Sequence, residues 1–226
     1  MKAFRELSAI AVPLAYDNID TDQIIPKQFL KRIERTGYGE FLFYDWRRVQ
    51  EGPDEGKPRP DFILNQPQYA GGEILLAGKN FGCGSSREHA AWALDDYGFR
   101  CVIAPSFGDI FYSNAGKNGI LLVTLPEEQV RLLQERAASI PRYRLHVSLE
   151  ERTVSDGQGF HASFAIDSFR RDCLLKGLDD IGLSLRHSAA LDRFERSHDR
   201  EFWLLPRPGA APAEGMERER TAGAES

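Results

Sequence analysis

The residues best suited to chemistry lie in one short run, Asn80-Phe81-Gly82-Cys83-Gly84-Ser85-Ser86-Arg87-Glu88-His89. Gly82 and Gly84 permit backbone conformations that a Cβ would obstruct, and they leave free amides facing the turn. Ser85 followed three residues later by Glu88 fits an S-x-x-E capping box, which predicts a helix starting here. Unsatisfied N–H groups and the positive end of the helix dipole then gather around Ser85 and Ser86. Arg87 adds a planar donor fork suited to a carboxylate. The chemistry this allows is capture of a small anion. The same residues also fit a plain turn in which serine caps a helix and Arg87 is solvated.

Other chemistries find less support. GKNFGCG, residues 78–84, matches neither the G-x-x-x-x-G-K-[ST] loop nor a G-x-G-x-x-G turn. A serine nucleophile would need a base from His89, His146, His161, His187 or His198, and the G-x-S-x-G elbow is missing. His89, four residues after Ser85, fits either a supporting role on the same helix face or a satisfied, partly buried histidine. Cys83 reads as a small packing residue, with a reactive thiol near a helix N-terminus as the other option. The three cysteines, at 83, 101 and 173, form no CxxC pattern and cannot by themselves hold an iron–sulfur cluster or a four-ligand zinc.

The elements around this run must hold it in place. Glu73–Ala77 is an apolar run of strand length before the glycine-rich stretch, and AAWALDDYG after it has helical character ending at Gly98. CVIAPSF and ILLVTL read as two further buried strands, joined by GDIFYSNAGKNG as a connection. PEEQVRLLQERA then opens a helix at Pro126. This alternation predicts an α/β layer with parallel strands. After Pro141, RLHVSLEERTVSDGQGFHASFAI forms two alternating runs around Asp156-Gly157, a predicted antiparallel hairpin. DSFRRDCLLKG predicts a helix capped by Asp167 or Ser168 and closed by Gly177, and HSAALDRFERSH a last helix. Ala9–Leu14 reads as a short first strand, and residues 17–48 as loop-rich. The run EGPDEGKPRPD, residues 51–61, is expected to be an exposed connection. One domain is expected over 1–206, followed by a disordered tail over 207–226.

At 226 residues, 42% hydrophobic and 28% charged, the chain has the profile of a globular protein with one good core. A net charge of -5 disfavours nucleic acid as the main ligand, so an anion must be met locally. No stretch approaches the about 18 apolar residues of a membrane helix, the N-terminus lacks a signal-like run, and the cysteine usage fits a reducing compartment. A cytoplasmic address is the resulting expectation.

NFGCGSSREHAAWAL at 80–94, with DNIDTDQIIP at 17–26, PDFILNQPQY at 60–69 and LLKGLDDIGLSL at 174–185, resembles the bacterial 3-isopropylmalate dehydratase small-subunit family of leucine biosynthesis. GSSREH alone is shared with the wider aconitase superfamily, where it marks the mobile swivel domain. The resemblance implies an α/β fold, a swivel-type β/β/α domain with a mixed sheet and an antiparallel hairpin section. It implies docking on a separate large subunit that carries a [4Fe-4S] cluster, whose iron acts as Lewis acid toward the substrate hydroxyl. By motif position Ser85 is the base, Ser86 and Arg87 bind a carboxylate of a small dicarboxylate substrate, and Gly82, Gly84, Glu88 and His89 support the turn.

The family's specificity loop falls at Gln28-Phe29-Leu30-Lys31. Phe29 and Leu30 fit an apolar wall against an isopropyl group, or equally local core, and Lys31 leaves the length of the acid open. Asp20, Thr21 and Asp22 fit a turn cap better than a ligand contact. Ala91 stands where many relatives have proline, a position at which proline is tolerated and not required. The implied activity is hydro-lyase chemistry seen only with the large subunit. A related hydro-lyase acting on citraconate, dimethylmalate or homoaconitate, and a non-catalytic dicarboxylate-binding module, are the other readings.

Overall fold

The structure, a computed structural model, describes residues 1–31 and 36–198. The described residues divide between two units, one running from Met1 to Leu183 and the other beginning at Ser184. The tail expected over 207–226 lies outside the described residues, as does the domain end expected at 206.

In chain order the larger unit begins with strand β1 (Glu6–Leu14), the short helices α1 (Thr21–Ile24) and α2 (Tyr44–Arg47), and strand β2 (Ile74–Ala77). Helix α3 (Glu88–Tyr97), β3 (Cys101–Ala104), α4 (Asp109–Lys117), β4 (Leu121–Thr124) and α5 (Glu127–Ser139) follow. Strands β5 (Arg144–Ser148), β6 (Thr153–Ser155) and β7 (His161–Ser163), then α6 (Ser168–Lys176), follow in it; the division at Leu183 falls within α7 (Asp180–Leu185), and α8 (Ser188–His198) belongs to the second unit.

The strands make one seven-stranded sheet in the order β4-β3-β2-β1-β5-β6-β7. The pairs β1–β2, β2–β3 and β3–β4 are parallel, while β1–β5, β5–β6 and β6–β7 are antiparallel. The mixed sheet with an antiparallel section is therefore as expected. Two details differ. The first run after Pro141 splits into β5 and β6 around a turn where Arg152 takes φ 59°, so the hairpin at Asp156-Gly157 joins β6 to β7. The stretch expected as a connection, GDIFYSNAGKNG, instead forms α4. Its glycines and asparagines hide a helix held by core packing, because Phe111 and Ala115, one turn apart, are both buried.

Alternation along the strands builds two cores. Val12, Leu14, Leu75, Ala77, Val102 and Ala104 face one cluster with Ala90 and Leu94 of α3 and Phe111 of α4. Ala9, Ala11, Ile74, Leu76, Cys101 and Ile103 face the other, with Val130 and Leu133 of α5. The antiparallel strands add Leu145, Val147, Val154 and Ala162 to this second cluster. A helix closes each face of the parallel half, and α3 leads directly from the C-terminal end of β2. Residues 51–61 are exposed except for half-buried Gly56, and their loop is pinned by amide bonds from Gly56 to Val49 and from Val49 to Lys57.

Candidate active site at the strand-to-helix turn

The turn between β2 and α3 is fastened on both sides. On one flank the Gly82 amide donates to the Ile19 carbonyl at 2.7 Å and the Thr21 amide to the Cys83 carbonyl at 2.9 Å, so Asp20 and Cys83 pair like parallel strands. The Thr21 hydroxyl donates to the Ser85 carbonyl at 3.0 Å. On the other flank the Phe81 amide donates to the Ser106 carbonyl and the Gly108 amide to the Phe81 carbonyl. Gly82 holds φ 75°, and a Cβ there would run into the Phe111 ring; Gly84 holds φ 94°. Buried Phe81, edge-on to Phe111 at 5.3 Å, ties the turn to the first core.

These fastenings present Ser85 and Ser86 as exposed residues. Among the described residues their backbone amides have no acceptor. The capping box expected at Ser85 and Glu88 does not form: α3 starts at Glu88, with Arg87 extended at φ -137°, ψ 107° and no side-chain cap. The cause is a contact between segments distant in sequence, since the bond from Thr21 fixes Ser85 to the neighbouring segment and Arg87 is drawn sideways into an ion pair with Asp22. Free amides thus remain at the turn, but they precede the helix and do not belong to its first turn.

Arg87 is the charged centre. Its side chain is 11% exposed and its Nη1 pairs with the Asp22 carboxylate, whose other oxygen lies 3.6 Å from Lys27 Nζ. Asp22 sits in α1, where Asp20 and Gln23 form the reciprocal cap, the Asp20 carboxylate accepting from the Gln23 amide and the Gln23 side chain from the Asp20 amide. The capping role expected for this segment is therefore Asp20's. Thr21 and Asp22 reach across and position Ser85 and Arg87. The D-x-x-Q spacing signals the cap, but no local pattern signals the crossing contacts.

Of the supporting residues, His89 leaves Ser85 and packs against Trp92 at 4.6 Å and Tyr38 at 5.4 Å. Burial lowers its pKa, which disfavours the charged ring in this aromatic setting. The shared helix face expected for Ser85 and His89 does not exist, because Ser85 is outside α3. Glu88 is exposed, 3.5 Å from the Asn118 amide group. Cys83 donates its thiol to the Asn18 carbonyl at 3.4 Å; burial, then the charge of Asp20, raises its pKa, the opposite of an activated thiol. His146 and His161 lie in β5 and β7.

Phe29, Leu30 and Lys31 fall on a 3₁₀ turn, Lys27–Lys31, just beyond α1. Phe29 and Leu30 are half-buried against the first core, and Lys31 is exposed. Lys27, at the start of that turn, meets Asp22, which joins the loop to the Arg87 pair.

This chain's residues do not fit an iron–sulfur cluster. Cys101 is fully buried in β3, Cys173 lies in α6 and Cys83 in the turn. Among the described residues no group of three or more His, Cys, Asp or Glu could hold a metal ion, and no helix is long and apolar enough to cross a membrane.

With the site in view, similarity to known proteins is decisive. The aconitase C-terminal domain family model matches residues 1–128 and the LeuD_N model residues 131–168. The chain is 64% identical over 211 residues to the 3-isopropylmalate dehydratase small subunit of Acidobacterium capsulatum, covering 93% of this chain and 98% of that protein. The chain belongs to the 3-isopropylmalate dehydratase small-subunit family. The small subunit of Koribacter versatilis is 54% identical over 198 residues, covering 88% of this chain and 100% of the relative. Among solved structures, 3-isopropylmalate dehydratase (leuD) from Methanocaldococcus jannaschii superimposes with a TM-score of 0.60 at 22% identity, covering 83% of this chain and 98% of that one. That match supports the fold.

Proposed function

We propose that this chain is the small subunit of a cytoplasmic 3-isopropylmalate dehydratase. In leucine biosynthesis the enzyme interconverts 2-isopropylmalate and 3-isopropylmalate by removing water and adding it back with the hydroxyl on the neighbouring carbon. The observation that carries this reading is the exposed Ser85–Ser86 pair, held at its backbone by Thr21 and followed directly by Arg87, whose guanidinium pairs with Asp22. Half a site of this kind calls for a second surface. A large subunit would supply it, and a [4Fe-4S] cluster held there would provide Lewis acidity toward the substrate hydroxyl.

The chain's own residues take three roles. Ser85 Oγ accepts the proton from the carbon next to a carboxylate. A serine hydroxyl is far too weak an acid to serve as its alkoxide unaided, so the positive field of Arg87 and the free amides of Ser85 and Ser86 must stabilise it. Thr21 fixes the Ser85 backbone, which leaves chiefly one torsion to set the position of Oγ. Arg87 offers several N–H donors, of which Asp22 takes a share, and the rest of the fork with the Ser86 hydroxyl grips a substrate carboxylate. Phe29 and Leu30 wall the alkyl group, with Lys31 at the rim.

Mixing experiments test this. The chain alone and a cluster-bearing large subunit alone should each fail to turn over 2-isopropylmalate, and the mixture should succeed. An inactive mixture with a large subunit known to be competent would overturn the proposal.

A further inference from the structure

The wall assigned to the substrate's alkyl group is braced. Phe29 stacks face to face on Phe41, with ring centroids 4.0 Å apart and planes 16° from parallel, and it meets Tyr44 edge-on at 4.9 Å. Phe41 ends a second 3₁₀ turn, Gly39–Phe41, which α3 fixes from behind. The Gly39 amide donates to the Asp96 carboxylate at 2.9 Å, and the Gly39 carbonyl accepts from Arg47 at 3.1 Å. The backbones are so close that a Cβ on Gly39 would lie 2.8 Å from the Tyr97 nitrogen. Just before this turn, fully buried Tyr38 packs on His89 and Trp92. One helix therefore supports the anion-binding turn at its start and the aromatic brace at its end.

We propose that Phe41, backed by Tyr44, is a positioning residue for substrate size, holding the Phe29 ring where a branched alkyl group meets it. The inference rests on the reading of Phe29–Lys31 as the specificity loop. The turn that carries Phe29 has no buried residue of its own. Without a partner ring, Phe29 gains rotamer freedom and the wall recedes. A branched isopropyl group loses contact, whereas a methyl group that never reached the wall loses little.

The test uses the assembled two-subunit enzyme and the ratio of kcat/KM for 3-isopropylmalate to that for 3-methylmalate. A ratio from one preparation cancels the amount of folded enzyme. Phe41→Leu should lower it about fivefold, the scale of one aromatic pair, chiefly through KM for the branched acid. Phe41→Tyr should keep the native ratio, and Tyr44→Leu, which leaves the second 3₁₀ turn untouched, should shift it the same way by less. An unchanged ratio in Phe41→Leu overturns the inference. If Phe29→Ala moves the ratio while Phe41→Leu does not, the brace is wrong and the loop reading stands. If neither moves it, the loop reading fails and takes this inference with it.

Discussion

Replacing Thr21 by valine deletes one hydroxyl and keeps a β-branched shape. Thr21 is buried, its amide bond to Cys83 runs through the backbone, and only the Oγ1 donation to the Ser85 carbonyl at 3.0 Å is lost. Ser85 is exposed, so water can take over its carbonyl, and the loss of stability is that of one net hydrogen bond, about 1 kcal/mol. In a chain of this size that lowers Tm by about 2–4 °C. At the site the same energy weakens the preference for one turn position. Because about 1.4 kcal/mol is tenfold in rate, kcat should fall about fivefold. Steady-state kinetics of the reconstituted enzyme and thermal melting of the chain measure both effects, and Thr21→Ser, which restores the donor, should recover them. Native kcat and native Tm in Thr21→Val, or a serine variant as impaired as the valine one, would refute the crossing contact as the support of Ser85.

Gly82→Ala places a Cβ against the Phe111 ring at φ 75°, so the left-handed backbone alone costs about 1–2 kcal/mol. Its melting temperature should drop by about 4 °C or more with kcat reduced, and an unperturbed melt would contradict the turn geometry. Away from the site, Asp156 anchors the hairpin. Burial alone would raise its pKa, but the Tyr143 hydroxyl, the Gln158 and Phe160 amides and Arg136 outweigh it and lower the value from 3.8 to about 2. A lowered carboxylate pKa adds stability above the unfolded value of 3.8, and that stability is lost as pH falls through about 2. Urea unfolding should find Asp156→Asn about 2 kcal/mol less stable than the native chain at pH 7, with the gap closing below pH 4. A gap independent of pH would rule out the charge as its source.

The parallel half of the sheet was legible because Ile74–Ala77, Cys101–Ala104 and Leu121–Thr124 are short apolar runs with helices or glycine-rich turns between them. Local cap chemistry was legible too: Asp167 and Gly177 bound α6, the Asp167 carboxylate accepting from the Arg170 amide at 3.0 Å. Helix α4 was not, since packing of Phe111 and Ala115 overrides the low propensity of its other residues. At the site, motif composition revealed the glycines, serines and Arg87. The start of α3 was misplaced by two residues, the cap falling at Arg87 and not Ser85, because the force that delays it comes from Thr21, 64 positions away in sequence from Ser85. Contacts of that separation leave no trace in local spacing, so the roles of Thr21 and Asp22 emerge only in the folded chain.

The central claim is that Ser85 supplies the base to a site completed by another polypeptide. Turnover of 2-isopropylmalate by the large subunit mixed with Ser85→Ala, at the same extent of complex formation as the native pair, tests it most directly. The account predicts an intact complex, near-native substrate affinity through Arg87 and Ser86, and kcat reduced by about two orders of magnitude or more. Native turnover in that complex would contradict it.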